Sequence, residues 1–191
     1  RNKKGEATML YHGVGQGNSI SLSSDPLLNQ WRQLPSNPVV PDPKDRPAIA
    51  NETDRDSEGG APYASWDPHG WVEGDTYYAI FGGKRPAVFK AAELNEWSYV
   101  GDLFGTYLPD VSKSEDVSCP DFFTLGGKKV LLCISHHLGC RYYVGTWKDE
   151  KFYPENHACM SFADNTFFAP ESLLTPDGRR VMWAWLFDAR N

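Results

Sequence analysis

The sequence contains little cysteine, little methionine and no long apolar run. Its four cysteines, at positions 119, 133, 140 and 159, include no Cys-x-x-Cys pair, which argues against a zinc ribbon. We expect free, buried thiols, with one disulfide as the alternative in an oxidising compartment. No apolar stretch reaches the roughly 18 residues that a membrane-spanning helix requires, so we expect no membrane partner.

Positive charge is also scarce. The chain has 19 Lys and Arg residues and 25 Asp and Glu residues, and the resulting net charge of −6 argues against nucleic acid as a partner. Arg1–Lys4 is followed by Gly5-Glu6 rather than by an apolar segment, so no signal peptide is evident. We expect the chain to begin inside a domain. The compartment stays open among secreted, periplasmic and cytoplasmic.

Helix-period patterns are nearly absent, and the one short candidate is residues 25–30, with Asp25 as the N-cap. Aromatic residues make up 14% of the chain, and 17 Gly and 14 Pro provide many turns. Alternating and fully apolar segments predict strands at residues 8–12, 19–23, 76–81, 87–90, 129–135, 141–145 and 180–186. The sequence therefore predicts an all-β fold.

The predicted strands recur in a fixed order around three tryptophans. Trp31, Trp97 and Trp147 each close a unit of roughly 50 residues, and repeats of about 40–50 residues with four strands are typical of propeller blades. Residues 41–47 and 51–58 are predicted to form a long loop between blades. We expect one β-propeller domain over residues 1–191, with roughly three to four blades.

Several segments match, in their order and spacing, the motifs of one known family. These segments are residues 23–31, Asp67-Pro68, Cys119–Phe123, Arg141–Gly145 and 167–170. Asp67 precedes a predicted strand, where its carboxylate would point into the central funnel of a propeller. Over nearly its whole length the chain resembles glycoside hydrolase family 32, the invertase, levanase and fructan hydrolase group.

The resemblance implies a five-bladed propeller with an attached β-sandwich, and a retaining glycosidase that needs no cofactor. In such enzymes two carboxyls about 5–5.5 Å apart act as nucleophile and acid/base. In the family the nucleophilic Asp lies on the first blade, and the acid/base Glu belongs to a Glu-Cys motif. A third carboxylate, in an Arg-Asp-Pro motif, stabilises the transition state. Asp67 matches that third position, and the implied substrate is a fructoside or a related glycoside.

The chain departs from the family pattern at three points. It has no Asn-Asp-Pro-Asn-Gly segment, so we expect it to comprise blades two to five, without the first blade and the sandwich. Trp66 replaces the Arg, and Ser118 occupies the acid/base position. A serine hydroxyl cannot act as a general acid near neutral pH. Glu115 and Asp116 are therefore the candidate acid/base residues, and a solvated loop is their alternative environment.

Further side chains are predicted to contact the sugar. These candidate substrate-binding residues are Trp66, Ser118, Cys119, His136, Asp164 and Glu171. The alternatives are blade packing for Trp66 and a buried structural role for Cys119. We expect no metal, because His136-His137 has no third ligand at a suitable spacing.

Three functions are compatible with these patterns. The first is a β-fructosidase when complete, and the second is a sugar-binding module that has lost the chemistry. The third is a propeller fragment whose exposed blade edges pair with another copy, because unpaired edges invite strand addition. Asp67-Pro68 favours enzyme ancestry, whereas Ser118 favours the other two functions for the isolated chain.

Overall fold

The computed structural model describes residues 1–13, 15–43, 62–113, 115–161 and 166–186, which form strands and loops without a helix. Four antiparallel sheets follow one another along these residues. The first sheet contains β1 (Ala7–Gly13), β2 (Gly17–Ser23), β3 (Arg32–Gln33) and β4 (Val40–Pro41). No described residue belongs to a helix with the length and apolarity that crossing a membrane requires.

The other three sheets follow in chain order. The second contains β5 (Pro68–Glu73), β6 (Thr76–Phe81), β7 (Ala87–Ala91) and β8 (Ser98–Asp102). The third contains β9 (Ser118–Leu125), β10 (Lys128–Ser135), β11 (Gly139–Lys148) and β12 (Lys151–Cys159). The fourth pairs β13 (Phe167–Leu174) with β14 (Arg180–Leu186).

The first strands of successive sheets pack against one another. β1 contacts β5, β5 contacts β9, and β9 contacts β13. In the second and third sheets the remaining strands follow outward in chain order. Sheets that succeed one another with their first strands innermost form a β-propeller, so the chain is a partial propeller of the all-β class. This confirms the predicted fold class.

Every predicted strand is present, but the first strands of the second, third and fourth sheets were not predicted. The predicted segments correspond to β1, β2, β6, β7, β10, β11 and β14. The innermost strands β5, β9 and β13 were missed, and each carries a proline near its start, at Pro68, Pro120 and Pro170. Proline cannot donate a backbone hydrogen bond, so it is confined to edge strands, and the innermost strand of a blade is an edge strand.

The predicted short helix at residues 25–30 is wrong, because these residues form a turn. The Asp25 carboxylate accepts the N–H of Leu27 at 3.0 Å and of Asn29 at 2.8 Å, much as an N-cap does. Leu28, however, adopts a φ of 56°, which lies outside the helical region and ends the turn. The capping contacts of Asp25 were therefore predicted correctly, whereas the helix that was expected to follow them does not form.

Two of the three repeated tryptophans occupy equivalent corners. The indole N–H of Trp31 donates to the Leu28 carbonyl, and that of Trp97 donates to the Leu94 carbonyl, both at 2.8 Å. Trp147 instead lies within β11. The predicted loop at residues 41–47 begins inside β4, and residues 44–61 lie outside the described part of the chain.

The largest core cluster lies between the second and third sheets. Phe152 and Leu131 are fully buried there, and each side chain of this size contributes about 1.5–3 kcal/mol by burial. At the inner side of this core the Trp71 ring packs against Phe122 and Trp147, with centroids 5.2 and 5.5 Å away. These contacts hold β5 and β9 together, and both strands begin at the candidate site.

Candidate active site

Asp67 links the starts of two blades. Its carboxylate Oδ2 accepts the backbone N–H of Cys119 at 2.9 Å, and the Cys119 thiol lies 3.6 Å from the same oxygen. The Asp67 backbone carbonyl accepts the N–H of Gly82 at 2.9 Å. Asp67 is therefore held at both its backbone and its carboxylate where β5 and β9 begin.

A backbone bridge fixes the same region from the other side. The Gly83 N–H donates to the Val117 carbonyl at 2.7 Å, and the Val117 N–H donates back to Gly83 at 3.1 Å. A Cβ added to Gly82 would collide with the Val117 carbonyl oxygen. A side chain at position 82 would therefore separate the second sheet from the third just beside Asp67.

Ser118 belongs to a polar cluster with Asp116 and His136. Its hydroxyl donates to Asp116 Oδ2 at 2.9 Å, and Asp116 also accepts the backbone N–H of His136 at 2.8 Å and faces its ring Nδ1 at 2.6 Å. Burial works to raise the pKa of Asp116, but the hydrogen bonds from His136 and Ser118 outweigh it and hold the pKa below its usual value. Asp116 therefore stays ionised near neutral pH and is a poor proton donor.

The pKa of Glu115 shifts in the opposite direction from that of Asp116. It is buried and accepts a hydrogen bond from the Ser135 hydroxyl. Burial is the main cause that raises the pKa of Glu115 above its usual value. The side chain lines a small pocket with Val117 and Tyr143. The two adjacent acids thus have carboxyls with opposite pKa shifts.

Glu171, on β13, reaches the same end of the propeller. Burial, together with the nearby carboxylates of Asp121 and Asp67, raises its pKa to about 7. The structure therefore brings Asp67, Cys119 and Glu171 together where β5, β9 and β13 begin. Asp116, Ser118 and His136 form a second, hydrogen-bonded group beside them.

Two residues that the sequence analysis did not select belong to this region. His69 Nδ1 lies 3.7 Å from Asp121 Oδ1, and Glu171 lies beside both. Burial lowers the pKa of His69, although Asp121 opposes the shift. His69, Asp121 and Glu171 each follow the proline of an innermost strand. This recurring proline was the sequence signal that could have found them.

The remaining predicted residues lie as follows. Trp66 is 37% exposed next to Asp67, and its backbone carbonyl accepts the Asn18 side-chain amide at 3.0 Å. Asp164 lies outside the described residues. All four cysteines are free; Cys133 and Cys140 are buried, whereas Cys119 is partly exposed and Cys159 is exposed. The predicted burial is therefore correct for two of them.

Residues 13–190 match the profile of the glycosyl hydrolases family 32 N-terminal domain. The sucrose-6-phosphate hydrolase of Salmonella typhimurium is 28% identical over 145 residues, covering 63% of this chain and 30% of that protein. The sucrose-6-phosphate hydrolase of Bacillus subtilis is 28% identical over 141 residues, covering 63% of this chain and 29% of that protein.

The fold has a solved counterpart in a family 32 beta-fructofuranosidase of Bombyx mori. The two share a TM-score of 0.69 at 20% identity, over 97% of this chain and 41% of that chain. The chain spans about 30% of the length of the Salmonella relative. Because the profile match extends over 13–190, nearly the whole sequence, the chain belongs to glycosyl hydrolase family 32.

Proposed function

We propose that the protein containing this chain is a β-fructosidase-type glycoside hydrolase, acting on fructosides or related glycosides. The observation that carries the proposal is the Asp67 carboxylate, held by the Cys119 N–H within a family 32 domain. A carboxylate fixed in this way accepts hydrogen bonds from sugar hydroxyls and stabilises positive charge in the transition state. In this proposal the four sheets correspond to blades two to five.

Glu115 is the acid/base residue that we propose for this reaction. Glu115 is buried directly before Asp116, and its pKa is raised, which is the direction that a proton donor needs, whereas Asp116 is held ionised by His136 and Ser118. Asp116 then positions the loop after β10, where the His136 side chain is 61% exposed to solvent and offers its ring as a contact for the sugar. Trp66 and Ser118 complete the proposed sugar contacts.

The test measures whether the full-length protein hydrolyses sucrose, sucrose 6-phosphate, inulin and levan. Asp67→Asn should lower kcat/KM by at least about 100-fold, because the amide keeps the shape and loses the charge. Glu115→Gln should cost a similar factor, while Asp116→Asn retains more activity. Asp177→Asn, in the exposed β13–β14 turn, is the matched control and should leave turnover unchanged. Full activity in Asp67→Asn would contradict the proposal.

A sugar-binding module is the second candidate, and the Ser118 contact favours it. The Ser118 hydroxyl, at the position of the family's acid/base, donates to Asp116 and cannot supply a proton to a leaving group near neutral pH. Calorimetric binding of fructose or sucrose without any hydrolysis would select this function. Binding should then be weakened by Asp67→Asn.

Pairing of the chain with a second copy is a further proposal about partners. Within the described residues β14 pairs with β13 alone, and its two faces carry Trp183 and Leu186, which are 54% and 74% exposed. An exposed apolar edge strand is a template for strand addition. Light scattering on this chain should then give a dimer mass, and Leu186→Lys should give a monomer. A monomeric parent chain would contradict the pairing.

A further inference from the structure

We infer that His69, Asp121 and Glu171 form a binding site for one first-row divalent cation, Zn²⁺ or Mn²⁺, near the centre of the propeller. The nitrogen of His69 and one carboxylate oxygen from each acid all lie within 4.8 Å of one another. An ion at about 2.0–2.2 Å from each ligand requires ligand atoms within about 4.4 Å of one another, so binding would draw the widest of these pairs slightly together. The proposal rests on the positions of these three side chains and does not depend on the hydrolysis proposed above.

The three residues occupy the same place in three successive blades. Each directly follows a proline, in the tripeptides Asp67-Pro68-His69, Cys119-Pro120-Asp121 and Ala169-Pro170-Glu171. The three tripeptides lie near the starts of β5, β9 and β13, and β9 contacts both of the other two strands. The repeat therefore directs one potential ligand from each blade toward a common point.

The hydrogen bonding of His69 leaves one ring nitrogen available as a ligand. Its Nε2 lies 3.0 Å from the Phe122 carbonyl oxygen, which can only accept, so Nε2 carries the hydrogen. Its Nδ1 lies 3.7 Å from Asp121 Oδ1, well beyond the roughly 2.7–2.9 Å of a charge-assisted hydrogen bond. In the neutral ring with its hydrogen on Nε2, Nδ1 and the carboxylate face each other as two electron-pair donors. A cation bound between Nδ1 and the carboxylate would accept both electron pairs and remove the repulsion between them.

Asp121, like His69, is held by a hydrogen bond on the side away from the proposed ion. It is 2% exposed, and its Oδ2 accepts the hydroxyl of Ser172, which in turn accepts Arg180 Nη1 at 2.8 Å. Ser172 and Arg180 therefore orient the Asp121 carboxylate so that its Oδ1 faces His69. Ligands of protein-bound metals are commonly oriented in this way, with the imidazole donating to a carbonyl and the carboxylate accepting a hydrogen bond.

Glu171 supplies the third ligand and a route for the ion. Together with His69 it lines a cavity of about 360 Å³ that also borders Trp71 and Tyr78. The cavity leaves coordination positions on the ion for water or for a sugar hydroxyl. The carboxylates of Asp67 and Asp121 lie close to Glu171, so a divalent charge also relieves the repulsion among three acids.

The donor set selects the class of cation. One imidazole nitrogen with two carboxylate oxygens suits Zn²⁺ or Mn²⁺, whereas Ca²⁺ takes about six to eight oxygens. Three protein ligands also leave an open position, as in sites that bind an exchangeable water. From the sequence we expected no metal, because His136-His137 has no third ligand at a suitable spacing; these two histidines lie outside the cluster of His69, Asp121 and Glu171.

The test is a calorimetric titration of this chain, stripped with chelator, with ZnCl₂ and with MnCl₂ in the absence of sugar. One ion per chain should bind, and His69→Gln, Asp121→Asn and Glu171→Gln should each weaken binding by at least about tenfold. His136→Gln is the matched control, since it removes a histidine outside the cluster, and it should keep the affinity. No saturable binding, or an equal loss in His136→Gln, would overturn the site.

A second measurement needs no variant. Long-range ¹H–¹⁵N NMR of the His69 ring should show Nε2 protonated and a large shift of Nδ1 when ZnCl₂ is added. A ring protonated at both nitrogens, with a spectrum that Zn²⁺ leaves unchanged, would show an imidazolium–Asp121 ion pair instead of a cation site. Because both measurements omit substrate, their outcome is separate from that of the hydrolysis test.

Discussion

Cys119 and Ala169 adopt nearly the same left-handed backbone conformation, with φ of 46° and 47°, at the starts of β9 and β13. Each is followed by a proline and then by an acidic residue, Asp121 or Glu171. The left-handed region costs a residue with a Cβ about 1–2 kcal/mol. Two successive blades thus share one strained turn that aims an acidic side chain at the propeller centre.

Replacing Ala169 by glycine tests this turn. Glycine adopts positive φ without strain, although it costs about 0.5–1 kcal/mol in unfolded-chain entropy, so Ala169→Gly should leave the free energy of unfolding unchanged or raise it by up to about 1 kcal/mol. Urea unfolding measures the change. Ala91→Gly, in the regular strand β7, is the control and should destabilise. Equal losses in both variants would contradict the strained turn.

Phe152 should be a large contributor to stability. It is fully buried and packs against Phe104 and Phe122 in the core between the second and third sheets. Phe152→Ala should lower the free energy of unfolding by about 3–5 kcal/mol, through lost burial and a residual cavity. Leu125→Ala, at a position that is 58% exposed, should change it by less than about 1 kcal/mol. Denaturant unfolding of both variants checks the ranking.

Asp116 should make stability depend on pH. Its pKa in the fold is lowered, so its carboxylate stabilises the fold above the unfolded pKa of about 4, and this contribution is lost as the pH falls through the folded value. Asp116→Asn should therefore be less stable than the parent by about 1–3 kcal/mol at pH 7.

The difference between Asp116→Asn and the parent should shrink as the pH falls below about 4. Urea unfolding between pH 3 and pH 7 gives the comparison. Asp75→Asn, in the exposed β5–β6 turn, provides a carboxylate-to-amide control without these contacts. A gap between Asp116→Asn and the parent that stays constant over this range would rule out the carboxylate as its cause.

The cysteines should react in the order of their exposure. Cys159 is exposed, whereas Cys140 is buried and its pKa is raised by that burial to about 11; burial also raises the pKa of Cys133. Because the thiolate is the reactive form, iodoacetamide at pH 8 should label Cys159 first and reach the two buried thiols only after unfolding. Peptide mapping by mass spectrometry reads the order. A disulfide-linked peptide would contradict the free-thiol arrangement.

Strands with ordinary sequence patterns were predictable, and the strands that carry the site were not. β10 was predicted from the apolar run after Lys129, and Val130–Ser135 are buried between β9 and β11. β5, β9 and β13 were missed because proline normally argues against a strand. Proline is tolerated there because the innermost strand leaves one edge unpaired, which the sequence of a single strand does not reveal.

The sequence by itself determined the all-β class, the repeat of about 50 residues and the motif around Asp67, because these depend on local periodicity and on short segments. Only the tertiary structure decided that Asp67 meets Cys119, 52 residues away, and that Asp116 is held by His136 while Glu115 turns into an apolar pocket. Such pairings, and the pKa shifts that follow from them, depend on how separate blades pack around one axis. Neighbouring acids can therefore share a motif and yet differ in environment and in protonation.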